Sequence, residues 1–217
     1  MNPFASRCIR PDNSVYRFAR EGSLDQALRR EFMNRLLFML HTRRRAAIVG
    51  AHGTGKSTLL QSLEPHLKSA FNHVIPIRLT SEKRDGCREL LRLFEIVGSD
   101  QQGVCLVIDG FEQLRWFDRW RLVHRLKGRE STALLVTCHR TSWLVPPCLE
   151  THWDEGLSRY LTQEKLGDVP TEARVELLSI FESRLQQPPA GRRNLRDLWF
   201  EMYDAFEVLK RREGNGL

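Results

Sequence analysis

The sequence predicts an α/β fold of three layers: a mostly parallel central sheet with helices on both faces, an N-terminal helix and a small C-terminal helical segment. Three observations carry this. Residues 46–60, AAIVGAHGTGKSTLL, pass from a short apolar run through a glycine-rich loop into helix-forming residues. Two more uninterrupted apolar runs, VCLVI at 104–108 and ALLVT at 133–137, have the composition of strands covered on both faces, as parallel sheets between helical layers require. Helix-spaced stretches separate these runs, and such alternation winds a parallel sheet with right-handed crossovers.

In chain order, residues 1–22 read as an irregular arm punctuated by Pro3, Pro11 and Gly22, residues that interrupt regular structure. Ser23 is placed to cap a helix from Leu24 to about His41, whose apolar positions Leu24, Ala27, Leu28, Phe32, Leu36 and Met39 step by three and four. A strand follows at 46–49, then a helix from about Gly55 to Lys68 that Pro65 is expected to kink or shorten. Residues 74–79, VIPIRL, read as a second strand; Pro76 lacks a ladder donor, which argues for an edge. Asp85 to Val97 reads as a helix and 98–103 as a turn. Glu112 to Lys127 reads as a helix carrying Leu114, Phe117, Trp120, Val123 and Leu126, closed by Gly128. Past His139 the pattern loosens: 143–147 reads as a loop and 158–162 as a short final strand. Helices are expected at 171–186 and 195–212, forming a lid or subdomain. The expected division is a basic arm and helix at 1–45, a core at 46–165 and a helical segment at 166–217.

A chain of 217 residues is long enough for a sizeable core. The net charge of +7 is uneven: residues 1–45 hold ten arginines and four acidic residues, whereas 46–217 hold 24 basic and 23 acidic. A basic arm suits nucleic acid or an acidic protein surface, and equally a solvated face. No apolar stretch approaches a membrane span, and the first residues lack the apolar core of a secretory signal. Five cysteines without C-x-x-C spacing fit a reduced cytoplasm.

The chemistry concentrates at Gly50-Ala51-His52-Gly53-Thr54-Gly55-Lys56-Ser57, the G-x-x-x-x-G-K-[ST] pattern of a Walker A loop in its strand–loop–helix context. Glycines allow successive N–H groups to turn inward around a phosphate, and the helix start adds unpaired donors and a positive dipole end. Residues 50–58, including Thr58, form the expected cradle for ATP, with Lys56 on the β- and γ-phosphates and Ser57 on Mg²⁺. Asp109, ending an apolar strand, is the second expected Mg²⁺ residue. Hydrolysis also needs a group that orients or deprotonates water. Gly110 stands directly after Asp109, so Glu112 is the preferred candidate and Glu82 the alternative. Thr137 and His139, closing the next strand, are placed to sense phosphate or water, with Arg140 near to neutralise charge.

With GAHGTGKST at 50–58, VCLVIDG at 104–110, ALLVTCHR at 133–140 and Asn2-Pro3-Phe4 near the start, the chain resembles P-loop NTPases of the AAA-like ATPase group. These belong to the division with a strand between Walker A and Walker B. The Asn-Pro-Phe opening is similar to that of ATPases paired with secretion or transposition systems. The resemblance implies ATP binding, usually hydrolysis, and a mechanical or switching output through a protein partner or self-association. Residues 191–197, GRRNLRD, resemble a sensor-2 segment, which implies that Arg196 contacts the γ-phosphate. The resemblance does not assign an arginine finger among Arg115, Arg119, Arg121 and Arg125. No LSGGQ or N-K-x-D motif is present, against a transporter ATPase or a GTPase. The alternatives are a nucleotide-gated switch that hydrolyses slowly or not at all, acting through the basic arm, and a small-molecule kinase.

Overall fold

The computed structural model describes residues 2–6, 8, 16–80, 103–126, 128–129, 131–187 and 194–214. The helix expected at 85–97, most of the turn before Gly103 and Glu82 lie outside them. Helix α1 spans Gly22–Thr42, strand β1 Arg45–Gly50, α2 Lys56–Ala70, β2 His73–Arg78 and β3 Val104–Asp109. A 3₁₀ turn at Phe111–Gln113 precedes α3 Trp116–Leu126 and β4 Thr132–Cys138. Then come β5 Pro147–Thr151, α4 Glu155–Lys165, α5 Thr171–Gln186 and α6 Leu195–Gly214.

The five strands lie in the order β2-β3-β4-β1-β5 and every pairing is parallel. Strand β1, which leads into the glycine-rich loop, is therefore interior, and β4 separates it from β3, which carries Asp109. Pro76 sits on an edge strand, where a missing donor costs no ladder bond. On one face of the sheet, Phe32, Leu36 and Leu40 of α1 and Leu59, Leu63 and Leu67 of α2 pack against Ile48, Cys105 and Leu135. On the other, Leu122, Val123 and Leu126 of α3 pack against Val49, Ile108 and Val136. A third cluster joins α5 and α6 through Leu177, Phe181, Leu185, Trp199 and Met202.

Several expectations need correction. Ser23 does not cap α1; Glu21 occupies the N-cap without a side-chain bond. The anchor is Asp25, buried in the first turn, which accepts from the backbone N–H groups of Phe18 and Ala19 and so fixes the incoming chain. Helix α2 runs through Pro65 to Ala70, because Leu59, Leu60, Leu63 and Leu67 bury one face on both sides of the proline. Packing of an amphipathic face outweighs one lost backbone bond. Glu112 is not at the start of an α-helix but in the 3₁₀ turn. Gly110, at φ 86, turns the chain there and Phe111 plugs the core, so the helix begins only at Trp116. Phe117 and Trp120 consequently face solvent rather than the core.

The expected strand at 158–162 is part of α4. Asp154 caps it by accepting from Leu157 N–H at 2.8 Å, the bond that favours an acid at an N-cap. The hydroxyls of Ser158 and Thr162 donate to carbonyls four residues back, so polar residues that resembled a strand are satisfied within the helix. The fifth strand is instead β5, which overlaps the expected loop at Pro147 and buries Cys148 and Thr151. Finally, the arm is not wholly loose. Phe4 is fully buried in the third cluster, and Asn2 donates to Tyr203 O and Glu207 Oε1 on α6.

Candidate functional site

The C-terminal ends of β1, β3 and β4 converge on one edge of the sheet, where open parallel sheets place their ligands. The loop from β1 to α2 is shaped by Gly53 at φ 74 and Gly55 at φ 86, the latter being the N-cap of α2. Both values are in the left-handed region that glycine adopts without strain. Lys56, the first residue of α2, folds back on this loop and its Nζ donates to Gly50 O and Ala51 O, each at 2.7 Å. It is only 8% exposed. Burial lowers its pKa from the ordinary lysine value, opposed by the negative charges of Glu112 and Asp109. Thr54 Oγ1 donates to Ala51 O at 2.9 Å and lies 2.7 Å from Thr151 Oγ1, tying the loop to the end of β5.

Asp109 and Thr137 meet across the β3–β4 pair. The buried Thr137 hydroxyl donates to Asp109 Oδ1 at 2.6 Å and accepts from Gly110 N–H at 2.9 Å. One hydroxyl thus fixes both the carboxylate and the turn behind it. Beside them, His139 Nε2 lies 3.0 Å from Glu112 Oε1. The other Glu112 oxygen is buried without a hydrogen-bond partner among the described residues. The ring of His52 meets that of His139 edge-on, with centroids 3.8 Å apart.

These groups line a cleft of about 600 Å³. Its floor is residues 52–58 with Asp109, Gly110, Glu112, Thr137 and His139. Gly50 and Ala51 contribute from beneath, through the carbonyls that hold Lys56. The rest of the lining includes Tyr16, Trp153, Leu157, Leu161 and the start of α6, with Arg196 and Trp199. Oxygen donors for a hard divalent cation are present in Ser57 and Asp109. No group of three or more His, Cys, Asp or Glu among the described residues forms a metal cage. Such sparse donation suits Mg²⁺, which keeps waters and phosphate oxygens as ligands.

All the expected site residues therefore gather at one place, but not as equals. Glu112 is paired with His139. Arg196 lines the cleft, and its backbone N–H donates to Asn194 Oδ1 at 3.0 Å. Sequence reasoning missed Asn194, Tyr16, Trp153 and Thr151. A Cβ on Gly53 would fall 2.0 Å from Asn194 Oδ1, and one on Gly55 2.9 Å from Tyr16. The loop is thus clasped by the arm on one side and the start of α6 on the other. Only Asn194, a capping residue type before a helical stretch, left a local signal. The rest meet the loop through tertiary packing.

No protein-family model and no curated protein matches the sequence. Solved structures do resemble it. PCH-2 of C. elegans superposes with a TM-score of 0.53 at 15% identity, covering 94% of this chain and 74% of that one. AMPPCP-bound DnaA from Aquifex aeolicus gives 0.56 at 18%, covering 94% and 67%. Domain III of the replication initiation protein DnaA from Thermotoga maritima gives 0.52 at 16%, covering 87% and 85%. At such identities the likeness is one of fold. With an interior strand leading into the glycine-rich loop, one strand between it and the Asp109 strand, and these neighbours, the chain has the P-loop NTPase fold of the AAA-like ATPases.

Proposed function

We propose that the chain binds ATP with Mg²⁺ at the cleft and hydrolyses it, passing the state of the site to a protein partner or a second copy. The observation that carries this is Lys56. It is a nearly buried cation at a helix start, held against its own glycine-rich loop by two carbonyls, in a cleft that Asp109 and Glu112 also line. A buried cation of that kind is costly unless an anion compensates it, and a triphosphate supplies one. Gly53 and Gly55 hold the positive φ that lets the loop curl as a phosphate cradle does, with Asn194 and Tyr16 lying against them. AMPPCP-bound DnaA, a fold neighbour, adds support for nucleotide at such a site.

Residues 50–58 would hold the phosphates, with the N-terminus of α2 adding its positive dipole end. Ser57 and Asp109 would hold Mg²⁺, which when bound neutralises charge on the phosphate oxygens. Thr137 holds Asp109 in one orientation through its hydroxyl. Glu112 takes the proton of the attacking water or orients it, and His139, 3.0 Å from Glu112, positions that carboxylate. Arg196, at the start of α6, reads the γ-phosphate and couples it to the helical segment at 166–217. Buried free thiols at Cys105, Cys138 and Cys148 suit the reduced cytoplasm as its setting.

Binding of a fluorescent ATP analogue and steady-state phosphate release test the reading. Lys56→Ala should abolish binding, and Glu112→Gln should retain binding while stopping release. Unchanged turnover in Lys56→Ala would remove ATP hydrolysis from this cleft. One observation favours a second reading, a slow or non-hydrolysing switch: Glu112 is engaged by His139 rather than standing free toward water. Tight binding with near-zero turnover in the wild-type chain would select it.

A further inference from the structure

Helix α3 buries Leu122, Val123 and Leu126 and turns a row of rings to solvent. Trp116 and Phe117 are each 58% exposed and Trp120 is 36% exposed. Phe117 and Trp120 stack with centroids 5.8 Å apart and planes 29° apart, and Trp120 and His124 stack at 5.1 Å and 8°. At 100° per residue, positions 116, 117, 120 and 124 share one arc and 121 and 125 lie beside it. Arg121 and Arg125 are exposed. Residues 115–126 hold four arginines and one acid, Asp118. Arg119 is turned away, its Nε donating to Leu114 O at 2.9 Å.

The positive charge continues beyond the helix. The chain leaves α3 through Arg129, whose carbonyl accepts from Thr132 N–H, and enters β4. There Leu134 N–H donates to Arg44 O, and Arg45 pairs in register with Leu134. The 43–45 arginine run and the segment leaving α3 therefore lead into neighbouring strands at the same, N-terminal end of the sheet. Among the described residues, none from 114 to 129 lines the cleft.

We propose that this face of α3 is a stacking platform for single-stranded nucleic acid, with the bases on the Trp116–Phe117–Trp120–His124 row and the phosphates following Arg121, Arg125 and the arginines at the sheet edge. The chemistry favours this occupant. Exposed aromatic faces pair with bases of any sequence, and arginines beside them neutralise the backbone. A duplex hides its base faces and can use only the charge. This proposal does not rest on the assignment of ATP to the cleft.

The test is fluorescence anisotropy of the full chain with labelled oligo-dT and oligo-rU of about 25 nucleotides and a duplex of equal length, at low and moderate salt. Intrinsic tryptophan quenching is followed in parallel. The single strands should bind better than the duplex and quench tryptophan. Trp120→Ala should weaken binding by about 5- to 150-fold, with Trp116→Ala acting in the same direction. Arg121→Glu combined with Arg125→Glu should flatten the salt dependence, by about 0.7 per lost phosphate contact in the log–log slope. Far-UV circular dichroism and binding of the fluorescent ATP analogue report whether each variant keeps its fold. No saturable oligonucleotide binding would overturn the proposal and turn the face over to a protein contact. Equal affinity for duplex and single strand would overturn it too, as would wild-type affinity in both folded tryptophan variants.

Discussion

Replacing Thr137 with valine tests the tie between β3 and β4 at the heart of the site. The residue is 1% exposed and its shape is nearly kept. The change removes one hydroxyl that donates to Asp109 Oδ1 at 2.6 Å and accepts from Gly110 N–H at 2.9 Å. A hydrogen bond to a charged group contributes about 1.5–3 kcal/mol, and a buried donor left unpaired costs about 1–3 kcal/mol. Asp109 is partly exposed, so water can replace some of its loss. The expected net destabilisation is therefore about 2–3 kcal/mol, or roughly 4–12 °C in Tm for a chain of this size. Urea and thermal unfolding of wild type, Thr137→Val and Thr137→Ser would measure it. The serine variant keeps the hydroxyl and should recover the larger part. Phosphate release should fall in Thr137→Val with less change in Thr137→Ser, because a carboxylate free to rotate holds a cation less well. Thr137→Val within about 0.5 kcal/mol of wild type would refute the reasoning, since the hydroxyl could then not be what fixes Asp109 and Gly110.

Two other perturbations probe the arm and the core. Phe4→Ala empties a fully buried site in the third cluster and should cost about 3–5 kcal/mol by urea unfolding; a loss under about 1 kcal/mol would mean that the arm is not anchored there. At alkaline pH the relevant groups hold their protons more tightly when folded. Burial pushes Cys105 and Cys148 from 9.0 up to about 12 and Cys138 to about 11. Burial and then the charge of Asp25 push Tyr16 from 10.0 to about 12. Their contribution is complete below about pH 9 and is lost as pH rises through 9–12. Unfolding midpoints measured from pH 8 upward should fall across that window, and Tyr16→Phe should flatten only the part above about pH 10. A flat profile would show that these groups ionise in the folded chain as they do in water.

The parts of the site legible in the sequence are those whose chemistry is local. Gly50 to Ser57 must pass from strand through loop to helix because its glycines and lysine stand at fixed offsets between an apolar run and helix-forming residues. Asp109 announced itself by ending an apolar run, and Thr137 by ending another. Glu112 was placed near the site by counting from Asp109, but the turn that carries it was not legible. Its geometry depends on Gly110 at positive φ and Phe111 plugging the core. The misread strand at 158–162 has a similar origin. Hydroxyl residues satisfied within a helix look like strand residues until Asp154 is seen to cap them.

Phe117 and Trp120 show the limit most clearly. Helical spacing put them on a stripe with Leu114 and Val123, but spacing does not say which side of a helix meets the sheet. Leu122, Val123 and Leu126 took that side and left the rings in water. The sequence alone determined the α/β class, the glycine-rich loop and its lysine, the strands that carry Asp109 and Thr137 near their ends, and the uneven placement of charge. Tertiary structure alone decided the strand order, the Thr137–Asp109 and Glu112–His139 pairs, the clasp of Tyr16 and Asn194 on the loop, and the burial of Phe4. The division follows from range. Backbone freedom and hydrophobic period act between near neighbours in sequence, whereas these contacts join segments far apart in the chain.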